Sequence, residues 1–209
     1  MSKKTIIIIV ATLIVVAGVS VFALRDTLFQ SYASTDSPQP GMMSNTKNEY
    51  AELKGEAYDK AFLANMIAHH QGAVDMAKLA QTNAKHAELK SMADDIVSAQ
   101  EAEIAEMTEW QSSWGYPSTS ADNMQDHSAM GMMDEMSGMM TALEGKTGDE
   151  FDKAFLEQMI MHHQSAIDMA APADTNASRQ EVKTLASEIV AAQTLEIKQM
   201  KQWQSDWGY

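Results

Sequence analysis

The chain has 209 residues, a formal net charge of −14 and no cysteine, which excludes disulfide bonds and thiolate metal sites. An acidic protein repels nucleic acid and anionic lipid surfaces and attracts cations, so we expect no nucleic-acid partner. Solubility alone would explain most of these charges.

The first predicted element is an uncharged run of 20 residues, Thr5 to Leu24, preceded by Lys3 and Lys4. A helix of this length spans about 30 Å, the thickness of the hydrocarbon core of a bilayer. Residues 1–25 are therefore predicted to be a signal peptide or a transmembrane anchor, and the length of the run favours an anchor in the inner membrane. The basic residues would stay in the cytoplasm, so the rest of the chain would lie in the periplasm or another extracytoplasmic compartment.

A flexible linker is predicted next, over residues 26–48, because Ser, Thr, Pro, Gly and Asn dominate there without periodicity. Residues 49–209 remain, which is enough for one domain with its own core. Without residues 1–26, the chain carries 12 basic and 28 acidic residues.

This domain contains one unit twice, displaced by 93 positions. Asp59–Asn83 and Asp152–Asn176 share 17 of 25 residues. The pattern Gln-x-x-Glu-Ile-x-x-Met-x-x-Trp-Gln-Ser-x-Trp-Gly-Tyr also occurs twice, at 100–116 and at 193–209. A repeat of this length predicts a fold that is built from the same unit twice.

Each unit (49–116 and 148–209) is predicted to hold two helices. The residues at positions 62, 66, 69, 73, 76 and 80, and again at 96, 100, 103, 107, 110 and 114, follow the spacing of one helical face. Short turns separate the helices, and Ser178 and Glu181 have the spacing of a capping box for the last one. Two such antiparallel hairpins, joined by a long Met-rich crossover at 117–147, predict an all-α, ferritin-like four-helix bundle.

Paired imidazoles flanked by thioethers make a candidate soft-metal site in each unit. Residues three and four apart meet on a helix, and a carboxylate on the facing helix is costly to bury unless it is paired or binds a metal ion. The candidate ligands of the first unit are Met66, His69, His70, Met76, Glu103 and Met107. Those of the second unit are Met159, His162, His163, Met169, Glu196 and Met200.

An ordinary core is the alternative interpretation of the same residues. In that case Glu196 would hydrogen-bond His162 in a polar layer without metal, and the methionines would only pack. The recurrence of the whole set favours metal binding. Thioether suits Cu(I) and imidazole suits Cu(II), and silver is soft in the same way. Met occupies the position three residues before each His pair, where a di-iron bundle has Glu, so copper is the predicted ion.

The crossover carries a second group of candidate ligands. A helical spacing would let them cap the bundle as an apolar lid, whereas a flexible segment would suit Cu(I) capture, and both interpretations stay open. These secondary candidates are Met124, His127, Met130, Met132, Met133, Met136, Met139 and Met140, with Met161 before the second His pair. The Trp110–Trp114 and Trp203–Trp207 pairs are predicted to pack at helix ends.

The motif Met-Ile-x-His-His-x-x-Ala-Val/Ile-x-Met-Ala, together with Gln-x-x-Glu-Ile-x-x-Met-x-x-Trp, resembles the bacterial family known as domain of unknown function 305. The resemblance covers both units, from about residue 50 to 209. It implies a ferritin-like bundle and, for some members, periplasmic copper binding linked to copper resistance. It also implies metal contacts at the twelve candidate ligands of the two units. The family often has Pro before the first His pair, where this chain has Ala68.

The predicted function is extracytoplasmic copper binding, for sequestration, trafficking or resistance, with the copper ion as the bound species and other periplasmic copper proteins as partners. No general acid–base pair, activated nucleophile or phosphate loop is visible in the sequence, so no enzyme activity is expected. Two alternatives stay open: a metal-dependent oxidoreductase of ferritin-like type, and a structural or partner-binding bundle without metal.

Overall fold

The computed structural model describes residues 50–117 and 127–209, with side chains for 50–117 and 132–209. The predicted anchor (1–25) and linker (26–48) lie outside the described residues. Within those ranges no strand is present, and none of the helices combines the length and hydropathy that crossing a membrane requires. The described helices are α1 (Glu56–Asn83), α2 (Ala87–Trp114), α3 (His127–Leu143), α4 (Gly148–Ala170), α5 (Ala173–Asn176) and α6 (Gln180–Trp207).

The helices form two hairpins, α1 with α2 and α4 with α6, which pack against each other through α1 and α4. Because only residues 84–86 separate α1 from α2, these two helices run antiparallel. The crossover helix α3 packs against α1 and α4. The prediction of an all-α, ferritin-like bundle of two tandem hairpins is confirmed, because each first helix buries the apolar face that its spacing predicted.

Two apolar cores fill the bundle, and each is built from both repeats. The first core includes Tyr58, Phe62, Val182 and Ile189, all buried. The second core, also buried, includes Leu89, Ile96, Phe151, Phe155 and Leu156. The N-terminal half of α1 packs in the first core and its C-terminal half in the second core. In α4 the order is reversed. The His pairs occupy the middle of both helices, between the two cores.

Each repeat ends on a glycine in the left-handed conformation, with φ of 68° at Gly115 and 75° at Gly208, which residues with a Cβ rarely adopt. The backbone N–H groups of Tyr116 and Tyr209 then donate to the carbonyls of Gln111 and Gln204, both at 2.9 Å. The two repeats therefore close in the same way, as their shared Trp-Gly-Tyr sequence predicts.

The start of each second helix is held by an aspartate from the other repeat. The buried Asp152 carboxylate of α4 accepts the backbone N–H groups of Lys85 at 2.9 Å and His86 at 3.0 Å, just before α2. The buried Asp59 carboxylate of α1 likewise accepts the backbone N–H and the hydroxyl of Ser178, just before α6. These bonds pair backbone donors of the short turn that precedes each second helix.

The predicted capping box of Ser178 and Glu181 is wrong. Helix α6 begins after Arg179, whose side chain makes no capping hydrogen bond to the helix. The Ser178 hydroxyl donates to Asp59 instead. A carboxylate from a neighbouring helix has replaced the local cap that the sequence pattern predicted.

A Trp ring from one repeat packs on the turn before the second helix of the other repeat, and this contact occurs twice. The His86 ring lies 3.8 Å from Trp207 at an angle of 4°, and its Nδ1 lies 2.6 Å from Asp152 Oδ2. At the equivalent junction the Arg179 guanidinium lies 4.3 Å from the Trp114 ring. Each terminal Trp pair is therefore half-buried against the turn of the other repeat.

We expect Asp59→Ala and Asp152→Ala each to lower the free energy of unfolding by about 1–3 kcal/mol, because each removes a buried carboxylate that accepts several hydrogen bonds from the turn before a helix. Urea unfolding followed by circular dichroism measures this change. Asp75→Ala is the matched control, because within the described residues Asp75 bonds only the exposed Gln71 and its loss should cost less than about 0.5 kcal/mol. Equal effects of all three substitutions would contradict the role of the caps.

Candidate metal centre

Four buried imidazoles form one layer across the middle of the bundle. The rings of His69 and His162 meet at the centre, with centroids 3.7 Å apart and planes inclined by 38°. His70 and His163 lie outside this pair, with centroids 6.5 Å from His69 and 6.1 Å from His162 respectively. All four are fully buried. The structure therefore joins the two predicted His-His motifs into a single centre.

A carboxylate orients each outer imidazole. His70 Nε2 lies 2.7 Å from Glu103 Oε2, and His163 Nε2 lies 2.6 Å from Glu196 Oε2. A carboxylate can only accept, so each Nε2–H donates, and in the neutral form of each ring the lone pair is on Nδ1. Histidines that bind metal ions are commonly oriented by such carboxylates.

The suggested contact between Glu196 and His162 is wrong, because Glu196 is bonded to His163. The Glu103 and Glu196 side chains are 23% and 26% exposed. Both therefore lie at the edge of the layer, where they orient the imidazoles.

The inner imidazoles are held less tightly. His162 Nε2 donates to the backbone carbonyl of His69 at 3.0 Å. Among the described residues, no hydrogen-bond partner is found for either ring nitrogen of His69, nor for Nδ1 of His70, His162 and His163. Buried polar atoms are normally paired, so these nitrogens are available to a ligand.

Burial lowers the pKa of His69 and of His162 well below the usual 6.5, and the neighbouring imidazoles lower it further. A charged imidazole would lose its hydration in the core without gaining a counter-ion. Both inner rings are therefore neutral at neutral pH, which is the form that binds metal ions.

The six predicted thioethers are buried, and they divide between the two cores. Those of the first core are Met66, Met107 and Met169. Those of the second core are Met76, Met159 and Met200. The structure thus brings the histidines together and places the methionines on both sides of them.

The crossover methionines follow α3 over both cores. Met139 is buried in the second core, against which Met136, Met140 and Met161 also pack. Met132 packs against the first core, whereas Met133 is 51% exposed. Met124 lies outside the described residues, as do the side chains of His127 and Met130. The described part of the crossover is therefore a helix that packs as a lid.

Two glutamines belong to the buried polar layer although they were not among the predicted ligands. Gln100 and Gln193 are each 3% exposed, and no partner for either Oε1 is found in the described part of the chain. Each lies three residues before the orienting glutamate, so the signal was their place on the same helical face. No group of three His, Asp or Glu side chains in 50–117 and 127–209 has a metal-binding arrangement.

The family model of a domain of unknown function, DUF305, matches residues 28–110 and 59–204. The chain belongs to the DUF305 family. No curated protein matches it significantly. The predicted family resemblance is confirmed over both repeats.

Solved structures of DUF305-like folds include one that is described as CopM in its Cu(I)-bound form. It is 39% identical to this chain, with a TM-score of 0.60, and the match covers 71% of this chain and 96% of that one. CopM in the Cu(II)-bound form is 38% identical to this chain, with a TM-score of 0.59, and the match covers 71% of this chain and 98% of that one. CopM in a silver-bound form is 39% identical, with a TM-score of 0.59, and the match covers 71% and 96%. A DUF305 fragment from Deinococcus radiodurans is 27% identical, with a TM-score of 0.60, and the match covers 73% and 99%.

Proposed function

We propose that this protein binds copper ions in the imidazole layer, Cu(I) foremost, and accepts Ag(I) in the same place. The observation that carries the proposal is the set of buried ring nitrogens of His69, His70, His162 and His163 that have no protein partner among the described residues.

Ligand chemistry supports copper in particular. Imidazole suits copper in general, and thioether suits its reduced form. Buried thioethers of Met66 and Met169 on one side, and of Met76 and Met159 on the other, flank the layer. A similar protein, CopM, has been solved with Cu(I), Cu(II) and silver, which agrees with this donor set.

We propose that the site serves sequestration or trafficking of copper outside the cytoplasm, and that the protein binds copper without turning over a substrate. The uncharged run after Lys3 and Lys4 supports export, with residues 1–25 as a signal or an anchor. The acidic balance of the rest of the chain favours the approach of cations. Other copper proteins of the same compartment are the proposed partners.

Anaerobic titration of the full chain with Cu(I), in competition with a chromophoric chelator, tests the proposal. We expect saturable binding with a fixed number of ions per chain. The same titration in air, with an oxygen electrode, should give no sustained oxygen uptake. An absence of binding would overturn the proposal, and continuous oxygen uptake would favour an oxidase instead.

We expect Glu103→Gln and Glu196→Gln to weaken Cu(I) binding by about 10- to 100-fold, because each carboxylate fixes the tautomer of an imidazole and raises its basicity. Competition with the chelator measures the affinity. Glu101→Gln on the same helix is the matched control, because Glu101 is exposed and pairs with Lys78. A loss that is equally large in the control would show an effect of net charge alone.

A further inference from the structure

Gly72 marks a difference between the two otherwise equivalent His-His segments. Within 69–73 and 162–166, the repeats differ only where Gly72 corresponds to Ser165. Glycine inside a helix costs about 0.5–1 kcal/mol relative to alanine, and Gly72 is not among the residues with positive φ. The missing side chain, rather than the backbone conformation, is therefore what distinguishes this position.

The sulfur of Met136 occupies the space that Gly72 leaves. A Cβ at position 72 would collide with Met136 Sδ, would lie 3.3 Å from Met136 Cγ, and would lie 3.6 Å from His162 Nε2. The thioether of the crossover helix thus reaches the bare backbone of α1 at the edge of the imidazole layer.

Methionines on α3 connect this point with the surface. Met133 is 51% exposed and lies three residues before Met136, so the two side chains are neighbours on the helix. Met132 packs on the first core and Met139 lies in the second. Helix α3 therefore crosses the imidazole layer, and Met136 lies at the crossing point.

Of the two inner imidazoles, His69 is the one that has both ring nitrogens free of hydrogen bonds within the described residues. It lies three residues before Gly72 on α1, so both face the same side of the helix. Neither of its ring nitrogens has a partner among the described residues, whereas His162 Nε2 is engaged with the His69 carbonyl. One nitrogen of a neutral imidazole carries a lone pair, so His69 can accept an ion without the loss of a hydrogen bond.

We infer that Met133 and Met136 form a thioether relay that passes a soft monovalent ion, Cu(I) or Ag(I), between the surface and His69. Gly72 makes the relay possible because it leaves room for Met136 Sδ. The inference rests on the proposed copper binding and adds the route by which the ion reaches the layer, through the first repeat. Thioethers suit this step because they are neutral, soft ligands.

The rate of Cu(I) transfer to the full chain from a chromophoric chelator complex, under anaerobic stopped flow, tests the relay. We expect Met136→Leu and Gly72→Ser each to slow transfer by about tenfold, equivalent to about 1.4 kcal/mol of activation free energy. The final number of ions bound should not change, because the imidazole layer is intact. Met133→Leu should slow transfer in the same direction.

Two controls match these variants. Ser165→Gly makes the reciprocal exchange in the second repeat, and Met92→Leu removes a thioether of α2 that packs on the second core and is not on the crossover helix. Both should keep the wild-type rate. Gly72→Ala adds a Cβ with a favourable helix propensity and should slow transfer even if the serine variant folds poorly.

Wild-type rates in Met136→Leu would overturn the relay, and wild-type rates in both Gly72 variants would overturn the role of Gly72. Slowing by Met92→Leu to the same extent would also overturn the inference. A wild-type protein that takes up no Cu(I) at equilibrium would instead refute the proposed function, so the two failures can be told apart.

Discussion

Replacement of His69, His70, His162 and His163 by leucine is expected to weaken Cu(I) binding by at least about a thousandfold, or about 4 kcal/mol. The variant removes every imidazole nitrogen of the layer and leaves thioethers as the remaining soft donors. Leucine suits the position because apolar cores lie on both sides of the layer. The orienting glutamates, at 23% and 26% exposure, keep access to water. Competition with a Cu(I) chelator measures the loss.

His86→Leu is the matched control for this experiment. His86 is also an imidazole bonded to a carboxylate, at 2.6 Å from Asp152, but it belongs to the junction between repeats. We expect this variant to keep its copper affinity and to lose some stability. If the folded fourfold variant kept its full copper affinity, copper would have to bind at another site, and the imidazole layer would have only a structural role.

The metal-free protein is expected to lose stability steeply as the pH falls below about 6.5. Burial lowers the pKa of His69 and of His162 in the folded state, whereas both groups have a pKa near 6.5 when unfolded. Between these values the unfolded chain binds more protons. The contribution of these two histidines to the free energy of unfolding is fully present above pH 6.5. Below that pH it falls by about 1.4 kcal/mol per pH unit for each histidine, until the folded-state pKa is reached.

Urea unfolding of the metal-free chain between pH 4.5 and pH 7.5 measures this slope. A variant with His69→Leu and His162→Leu should show a slope smaller by about 2.7 kcal/mol per pH unit, since both titrating groups are gone. His86→Leu should leave the slope of the inner pair unchanged. Identical slopes in the wild type and the double variant would contradict the burial of neutral inner imidazoles.

The bundle could be predicted from the sequence because its signals are local and repeated. The 4-3 spacing around Phe62, Met66 and His69 determines which face is buried, and the short connection at 84–86 determines that α1 and α2 are antiparallel. The 93-residue displacement then implies that the second repeat folds in the same way. Periodicity, the length of one connection and the internal repeat were sufficient for these steps.

The geometry of the site could be predicted only in part. The sequence indicated that His69 and His70 share a buried face, but not that His69 meets His162 across the bundle, because that contact depends on how two hairpins pack. The partner of Glu196 and the cap on Ser178 were wrong for the same reason: both depend on a neighbouring helix. The sequence shows Gly72 as a mismatch between the repeats, but the reason for a glycine there depends on the position of Met136 in the folded chain.

The exchange of aspartate caps has a consequence for how the protein can be assembled. Asp59 holds the start of α6, and Asp152 holds the start of α2, so each repeat supplies a bond that the other needs. Two separately expressed fragments, cut between Tyr116 and His127, should therefore fold poorly alone and recombine into a heterodimer when mixed. A single repeat of this kind could obtain the missing aspartate bond by pairing with an identical copy. The tandem repeat is then equivalent to such a homodimer with its two subunits joined in one chain.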